Sequence, residues 1–481
     1  MQNEDDYYGQ NVELQQKRIV VEFSCPNTNK PLHLGHLRND AVGMSIAQIL
    51  AASGAEVRRV NLINDRGIHI CKSMLAYQKF GQQITPELAG LKGDHLVGDF
   101  YVRFDKWAKT FPGAEEEARQ MLKNWEEGDP ELKELWKRLN NWTTSGIEET
   151  YRKTGVDFDQ VYFESDTYLL GRQEVLKGLK KGIFYREGDG SVWVDLTERQ
   201  LDKKVLLRSD GTSLYLTQDI GTALQRYKDW PFDQMIYVVA AEQKYHFKVL
   251  FQVLELLGFD WADSLHHLAY GMVNLPEGKM KSREGTVVDA DPLLAELENL
   301  AKEEIRERGR VSEIDNLDET AEKIALGALN YYLLQASPYK DMIFDPRESI
   351  SFSGNTGPYL QYTGARIISL LRKFEQRRQQ QFQDGKMRPE LLEGADDWEI
   401  IKLLASFPET VLLSASGLNP ALISGYLFDL SKSFSHYYQE HPVLHNQDSD
   451  LVVSRISLAR AVLRVLQNGC RLIGVPILAK M

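Results

Sequence analysis

The chain has 481 residues, 43% hydrophobic, 10% aromatic and 26% charged, the proportions of an ordinary globular protein with room for two or three cores. Its apolar runs are short and Met1 to Gln16 is acidic and polar, so neither a transmembrane helix nor a signal peptide is expected. Cys25, Cys71 and Cys470 are too few and too scattered for a disulfide framework or a zinc ribbon and fit a reducing cytoplasm; the net charge of −12 excludes a generally basic nucleic-acid binder, while leaving room for a local basic face.

After a polar tail over 1–18, an apolar strand-like run (Ile19 to Phe23) leads through a polar turn to His33-Leu34-Gly35-His36 and then a helix-like run, Leu37 to Ala52. Two imidazoles separated by Leu34 and a glycine, where a strand turns into a helix, make a place for phosphate. Free N–H groups and the positive end of the helix dipole favour an anion, and each imidazole adds a donor. Histidines at this spacing can also form a metal pair. No third ligand lies near them, since Cys25 falls on the strand side, and no metal site is expected. A second strand, Glu56 to Ile63, completes half of a doubly wound nucleotide fold. The chain lacks both G-x-G-x-x-G and G-x-x-x-x-G-K-[ST], which disfavours dinucleotide and P-loop chemistry.

From about 68 to 150 the sequence turns helical and charged, and Trp107, Trp125, Trp136 and Trp142 are expected to form the core of an insertion. A second insertion, about 165–212, contains short β-prone runs separated by turn signals between Gly182 and Gly211. The α/β pattern resumes with strands at Gln234 to Ala240 and His267 to Val273, joined by a helix around Phe247 to Leu257. A glycine-bracketed cationic segment follows, Gly278-Lys-Met-Lys-Ser-Arg-Glu-Gly285. Ligands of open α/β sheets sit at the carboxyl ends of the strands, where the histidine turn and the lysine segment would converge. From Asp289 onward the periodicity is helical, with breaks at Ser337-Pro338, Gly354 to Pro358, Asp384-Gly385 and Asn419-Pro420: a connection over 291–345 and a bundle over 346–481.

The histidine turn and the lysine segment resemble the two signature motifs, HIGH and KMSKS, of class I aminoacyl-tRNA synthetases. Three longer segments are similar to one branch, the arginyl-tRNA synthetases: Val21 through Arg38, Asp210 through Gly221 and Ser353 through Arg366. The resemblance runs from about Lys17 to Met481. It implies an α/β, Rossmann-like catalytic domain with insertions over 19–290, followed by an all-α anticodon-binding bundle. It also implies a cytoplasmic, monomeric enzyme that needs no membrane. The implied activity is arginine–tRNA ligation: L-arginine is activated by ATP with Mg2+ to arginyl-adenylate and passed to the 3′ end of tRNA(Arg), which must be bound before activation.

By the same resemblance His33, His36, Lys279 and Lys30 are the catalytic cations and donors. The ATP site would comprise His33, Gly35, His36, His246, Phe247, Met272, Val273, Lys279, Met280 and Lys281. Glu164 and Asp219 would face the substrate guanidinium, with Tyr215 beside them, while Glu22, Asn27 and Gln243 hold its α-amino and carboxylate ends. Residue chemistry supports this choice independently. A planar, permanently charged guanidinium calls for carboxylates, and Tyr215 and Asp219 share a helical face. The bundle's basic stripe, Arg366, Arg372, Lys373, Arg377 and Arg378, with Tyr437 and Tyr438 as stacking rings, would take tRNA.

Two features depart from the family pattern. Ser282 stands where the second signature lysine belongs, with Lys281 one place early and Arg283 one place late, and the resemblance implies Lys30 as a substitute. Only about twenty polar residues precede Val21, where the family usually carries a further domain that touches the tRNA elbow; the expectation is a naturally short or truncated chain. Two rival readings share part of the pattern. One is a tRNA-binding paralogue without chemistry; the other is a different HxGH nucleotidylyltransferase, which would lack the C-terminal bundle.

Overall fold

The computed structural model describes residues 7–81, 83–276 and 288–481. In chain order, β1 (Arg18–Glu22), α1 (Leu34–Ala52) and β2 (Glu56–Ile63) open the fold. The helical insertion follows as α2 (Ile68–Phe80), α3 (Pro86–Ala89), α4 (Gly93–Ala108), α5 (Ala114–Glu126) and α6 (Pro130–Thr154). Then come β3 (Gln160–Phe163), α7 (Glu164–Thr167) and α8 (Leu170–Lys180), three short strands β4 (Tyr185–Arg186), β5 (Val192–Val194) and β6 (Lys204–Leu207), and α9 (Tyr215–Asp229). The α/β pattern closes with β7 (Gln234–Ala240), α10 (Lys244–Leu256), β8 (Leu265–Tyr270) and β9 (Val273–Asn274).

After the undescribed 277–287, α11 (Ala290–Glu307) and α12 (Leu317–Leu334) lead to β10 (Met342–Ile343) and α13 (Pro346–Ser349). The bundle is α14 (Gly357–Gln381), α15 (Ala395–Ser416), α16 (Ala421–Glu440) and α17 (Ser449–Leu472).

Five strands form one parallel sheet in the order β3-β2-β1-β7-β8. The chain winds outward from β1 to β3, returns, and then winds outward the other way from β7 to β8. Its switch point therefore lies between β1 and β7, where such sheets bind ligands. Both sheet faces are covered, which is why β1 reads as a continuous apolar run. Ile19 and Val21 enter the core shared with α1 and the bundle, whereas Val20 enters a second core with Val60, Met235, α9 and α10. The structure adds β3, a four-residue edge strand that the sequence pattern does not announce. The second insertion is also helical in its first part, over α7 and α8, and its antiparallel strands span only 185–207.

α1 is buried nearly all round because it serves both layers. One side lies on the sheet, and the other meets α12, α15 and α17, where Ser45 Oγ donates to the Leu472 carbonyl at 2.7 Å. The tryptophans of the first insertion do belong to its core: Trp125 is 2% exposed and meets Trp136 edge-on, with Trp107 and Trp142 partly buried nearby. The region after 289 is not purely helical, since β10 pairs in parallel with β9. That staple is reinforced by Arg38, wholly buried on α1, which donates to the carbonyls of Met272, Pro338 and Lys340. Among the described residues no helix is long and apolar enough to cross a membrane.

Candidate active site

The sequence-selected residues that the structure describes in the catalytic half gather at the carboxyl ends of the parallel strands. Glu22 ends β1, Glu164 follows β3, Gln243 and His246 follow β7, and Met272 and Val273 follow β8. Lys279, Met280 and Lys281 lie outside the described residues.

His33 is the N-cap of α1. Its Nδ1 accepts from the Gly35 N–H at 3.1 Å, while His36 Nδ1 accepts from the His33 N–H at 3.1 Å; the rings are 3.9 Å apart. A neutral imidazole whose Nδ1 accepts carries its proton on Nε2, so each ring keeps one donor for a ligand. Burial pushes both rings toward that neutral form, His33 down to about 3 and His36 well below its usual value, with Lys30 adding to both effects. Lys30 thus shares the site electrostatically, and burial lowers its own pKa against the opposing pull of Asp289. Gly35 is required by the rings: a Cβ there would lie 2.9 Å from His33 Cε1.

The expectation of free N–H groups at this helix start needs correction. Leu34 N–H donates to the Val288 carbonyl, Gly35 N–H to the His33 ring and His36 N–H to the His33 carbonyl. The imidazole Nε2–H groups, not the backbone, are the donors left over.

The two acids assigned to the guanidinium are near enough that Asp219 raises the pKa of Glu164. Burial is the largest cause, Arg66 opposes it, and Asp65 adds more than Asp219 does; the net effect pushes Glu164 up to about 7. Asp219, one turn beyond Tyr215 on α9, meets His246 Nε2 at 2.6 Å, which raises the pKa of that imidazole. Tyr215 opens the same helix and is 70% exposed. Asn27 is exposed and bridges in parallel to Asn64 beyond the strand ends; Gln243 is exposed at the N-cap of α10.

Glu22 is buried in an ion pair with Arg226 of α9, itself 2% exposed. Burial raises the Glu22 carboxyl and Arg226 opposes it. Sequence reasoning missed Arg226. It also missed Arg66, whose guanidinium lies 4.0 Å from Glu164.

Three assigned side chains do not face a ligand. Phe247 is 8% exposed and packs against Tyr237 and His267, with centroids at 4.9 and 4.4 Å. Val273 is a core residue of β9, leaving exposed Met272 as the side chain offered there. In the bundle Tyr437 is 1% exposed and donates its hydroxyl to Asp397 at 2.7 Å, so its ring is interior.

Tyr438 remains partly open and lies with Tyr362 around the Arg366 guanidinium, 5.5 and 4.7 Å away. Arg372, Lys373, Arg377 and Arg378 continue along α14, where Arg366, Lys373 and Arg377 share one helical face. Arg378 is drawn to Glu375 at 3.7 Å, and Glu375 also pairs with Arg460.

Asp94, His95 and Asp291 form a group of metal-ligand spacing among the described residues. The Lys92 ammonium sits 3.3 Å from Asp94 and 2.6 Å from Asp291. A cation of the protein's own therefore already meets those carboxylates, and the group serves to tie α4 to α11.

Comparison with known proteins gives the family and the fold. Residues 2–346 match the family model described as tRNA synthetases class I (R), catalytic domain, and residues 360–481 match the DALR anticodon binding domain. An arginine–tRNA ligase of Treponema denticola is 58% identical over 99% of this chain and 82% of its own length; one of Bacteroides thetaiotaomicron is 48% identical over 96% and 80%. The Thermus thermophilus arginyl-tRNA synthetase superposes with a TM-score of 0.80 at 27% identity, covering 98% of this chain and 84% of that one. By sequence along nearly its whole length and by fold, the chain belongs to the arginyl branch of the class I tRNA synthetases.

Proposed function

We propose that the protein is an arginine–tRNA ligase, acting as a cytoplasmic monomer on L-arginine, ATP with Mg2+ and tRNA(Arg). The observation that carries this reading is the placement of two carboxylates, Glu164 and Asp219, and the His33–His36 pair beyond the strand ends of one parallel sheet. Paired carboxylates match a guanidinium, and neutral imidazole donors match phosphate.

In the first step the arginine carboxylate attacks the α-phosphorus of ATP in line, forming arginyl-adenylate and releasing pyrophosphate. In the second, the terminal ribose hydroxyl of tRNA attacks the acyl carbon and AMP leaves. The protein's work is positioning and charge stabilisation. Glu164 and Asp219 hold the guanidinium, with Tyr215 beside them. Asn27, Gln243 and Glu22 hold the other end of arginine, Glu22 through a carboxyl already paired with Arg226. The His33 and His36 Nε2–H groups and the Lys30 ammonium meet the phosphates, joined by Lys279. Arg366, Lys373, Arg377 and Tyr438 form the tRNA face of the bundle, and activation waits for tRNA. Arginine-dependent ATP–pyrophosphate exchange with tRNA(Arg) present tests the proposal. Exchange driven by another amino acid instead would refute it.

A further inference from the structure

Arg66, in the turn that leaves β2, is a buried cation beside Glu164, a carboxylate assigned to a cationic substrate. Its side chain is 7% exposed, its guanidinium lies 3.8 Å from the Tyr168 ring centroid and 5.7 Å from that of Trp125, and it is ion-paired to Glu126. At 4.0 Å from Glu164 Oε1 it attracts that carboxylate without a direct hydrogen bond. The link is Gln218, three residues beyond Tyr215 on α9. In the amide orientation that satisfies both neighbours, its nitrogen donates to Glu164 Oε1 at 2.9 Å and its oxygen accepts from Arg66 Nη1 at 2.9 Å.

The residue before Arg66 completes the arrangement. Asp65 accepts from the Ser165 N–H at 2.9 Å and the Ser165 hydroxyl at 2.7 Å, so consecutive residues of one turn grip the residue after Glu164 and Glu164 itself. The Asp65 carbonyl in turn accepts from Trp136 Nε1 at 2.6 Å and Asn140 Nδ2 at 3.1 Å, both on α6 of the helical insertion. Oε1 of Glu164 is thereby engaged from behind, while its Oε2 makes no hydrogen bond among the described residues. Stacking and pairing hold Arg66 against its own ring partners, so it supports the carboxylate without taking the substrate's place.

We propose that Arg66 and Gln218 are specificity-determining positioning residues, a relay through which the helical insertion fixes Glu164 for the guanidinium of the substrate. The inference rests on the arginine-ligase reading and deepens it. The groups that face Glu164 are Arg66, which favours its charged form, and Asp65 and Asp219, which disfavour it; Glu126 and Lys133 lie on the far side of Arg66. With burial these set Glu164 titrating at about 7, so the KM for arginine should fall as pH rises through neutrality.

The test is steady-state exchange in the presence of tRNA, over a range of pH, for the wild type, Arg66→Met, Arg66→Lys and Gln218→Leu. Arg66→Met should raise the KM for arginine about tenfold, leave that for ATP within about twofold and move the midpoint of the arginine pH profile upward. Arg66→Lys, which keeps the charge and loses the fork, should raise the arginine KM while holding the wild-type midpoint. Gln218→Leu removes no charge but a donor to Glu164, and should raise the arginine KM, leave that for ATP unchanged and move the midpoint less than Arg66→Met does. Equal losses for arginine and ATP in all folded variants, or an unchanged arginine KM in Gln218→Leu, would overturn the relay. Wild-type enzyme that activates a different amino acid would overturn the arginine reading instead, a failure visible before any variant is made.

Discussion

The backbone N–H of Leu34 donates to the carbonyl of Val288 at 3.0 Å, and the N–H of Ala290 returns to the carbonyl of Leu32 at 2.9 Å. This two-way pairing fastens the start of α1, with its histidines, to the chain that follows the lysine-rich segment. It consumes one N-terminal donor of the helix and leaves catalysis to the side chains.

His36→Ala should therefore lower the rate of arginyl-adenylate formation by about 10², the usual cost of losing one donor to a developing charge. His36 also caps the His33 N–H, so a small loss of stability should accompany it. Single-turnover rates at saturating arginine check this; an unchanged rate would remove the ring from the chemistry.

Asp219→Asn should weaken arginine by about 2–4 kcal/mol, because a buried guanidinium would lose a charged partner. ATP affinity should hold. The same change should lower the His246 pKa, since its bond to Asp219 is what raises it, and NMR titration of that imidazole reads this directly.

Asp40 gives a stability prediction. It is 1% exposed on α1, and burial, offset only in part by the Ser24 hydroxyl, pushes its carboxyl up to about 7. The folded state then holds a proton that the unfolded chain releases above about 4, so this residue's contribution to stability falls as pH rises from about 4 to about 7. Asp40→Asn should be more stable than wild type at pH 8, by up to about 4 kcal/mol, and the advantage should vanish near pH 4. Denaturant melts at the two pH values compare them.

For tRNA, Lys373→Glu with Arg377→Glu should flatten the dependence of binding on salt by about one unit of slope for each phosphate no longer neutralised. Arg378→Glu should change it less, because Arg378 is already drawn to Glu375. Filter binding over a salt series measures all three slopes, and identical slopes would move the RNA face elsewhere.

What was legible in the sequence follows from how local each signal is. The strands β1 and β7 announce themselves as apolar, β-branched runs because a doubly covered parallel sheet demands apolar residues on both faces, while the more polar β2 is legible from Val57, Val60, Leu62 and Ile63. The Gln160–Phe163 strand escapes notice because it is four residues long at a sheet edge, and β10 because it is two. His33 and His36 carry their own context, a glycine and a helix start. Arg226 and Arg66 do not: a buried cation is defined by partners far away in the chain, Glu22 for one and Glu164 for the other. The one signal that could have found the relay is Gln218, set between the two flagged residues Tyr215 and Asp219 at helical spacing. Tyr437 and Tyr438 show the converse limit, since adjacent aromatics on one helix give no sign of which ring the core takes.

The central claim is that Glu164 and Asp219 recognise a guanidinium. Exchange should be measured with tRNA(Arg) present, with arginine or with citrulline, which has nearly the same shape and no charge. The account predicts robust exchange with arginine, at least 10³-fold less with citrulline because its neutral ureido group offers the two carboxylates no charge and one donor fewer, and negligible exchange with arginine when tRNA is withheld. Comparable exchange with the two amino acids would contradict it.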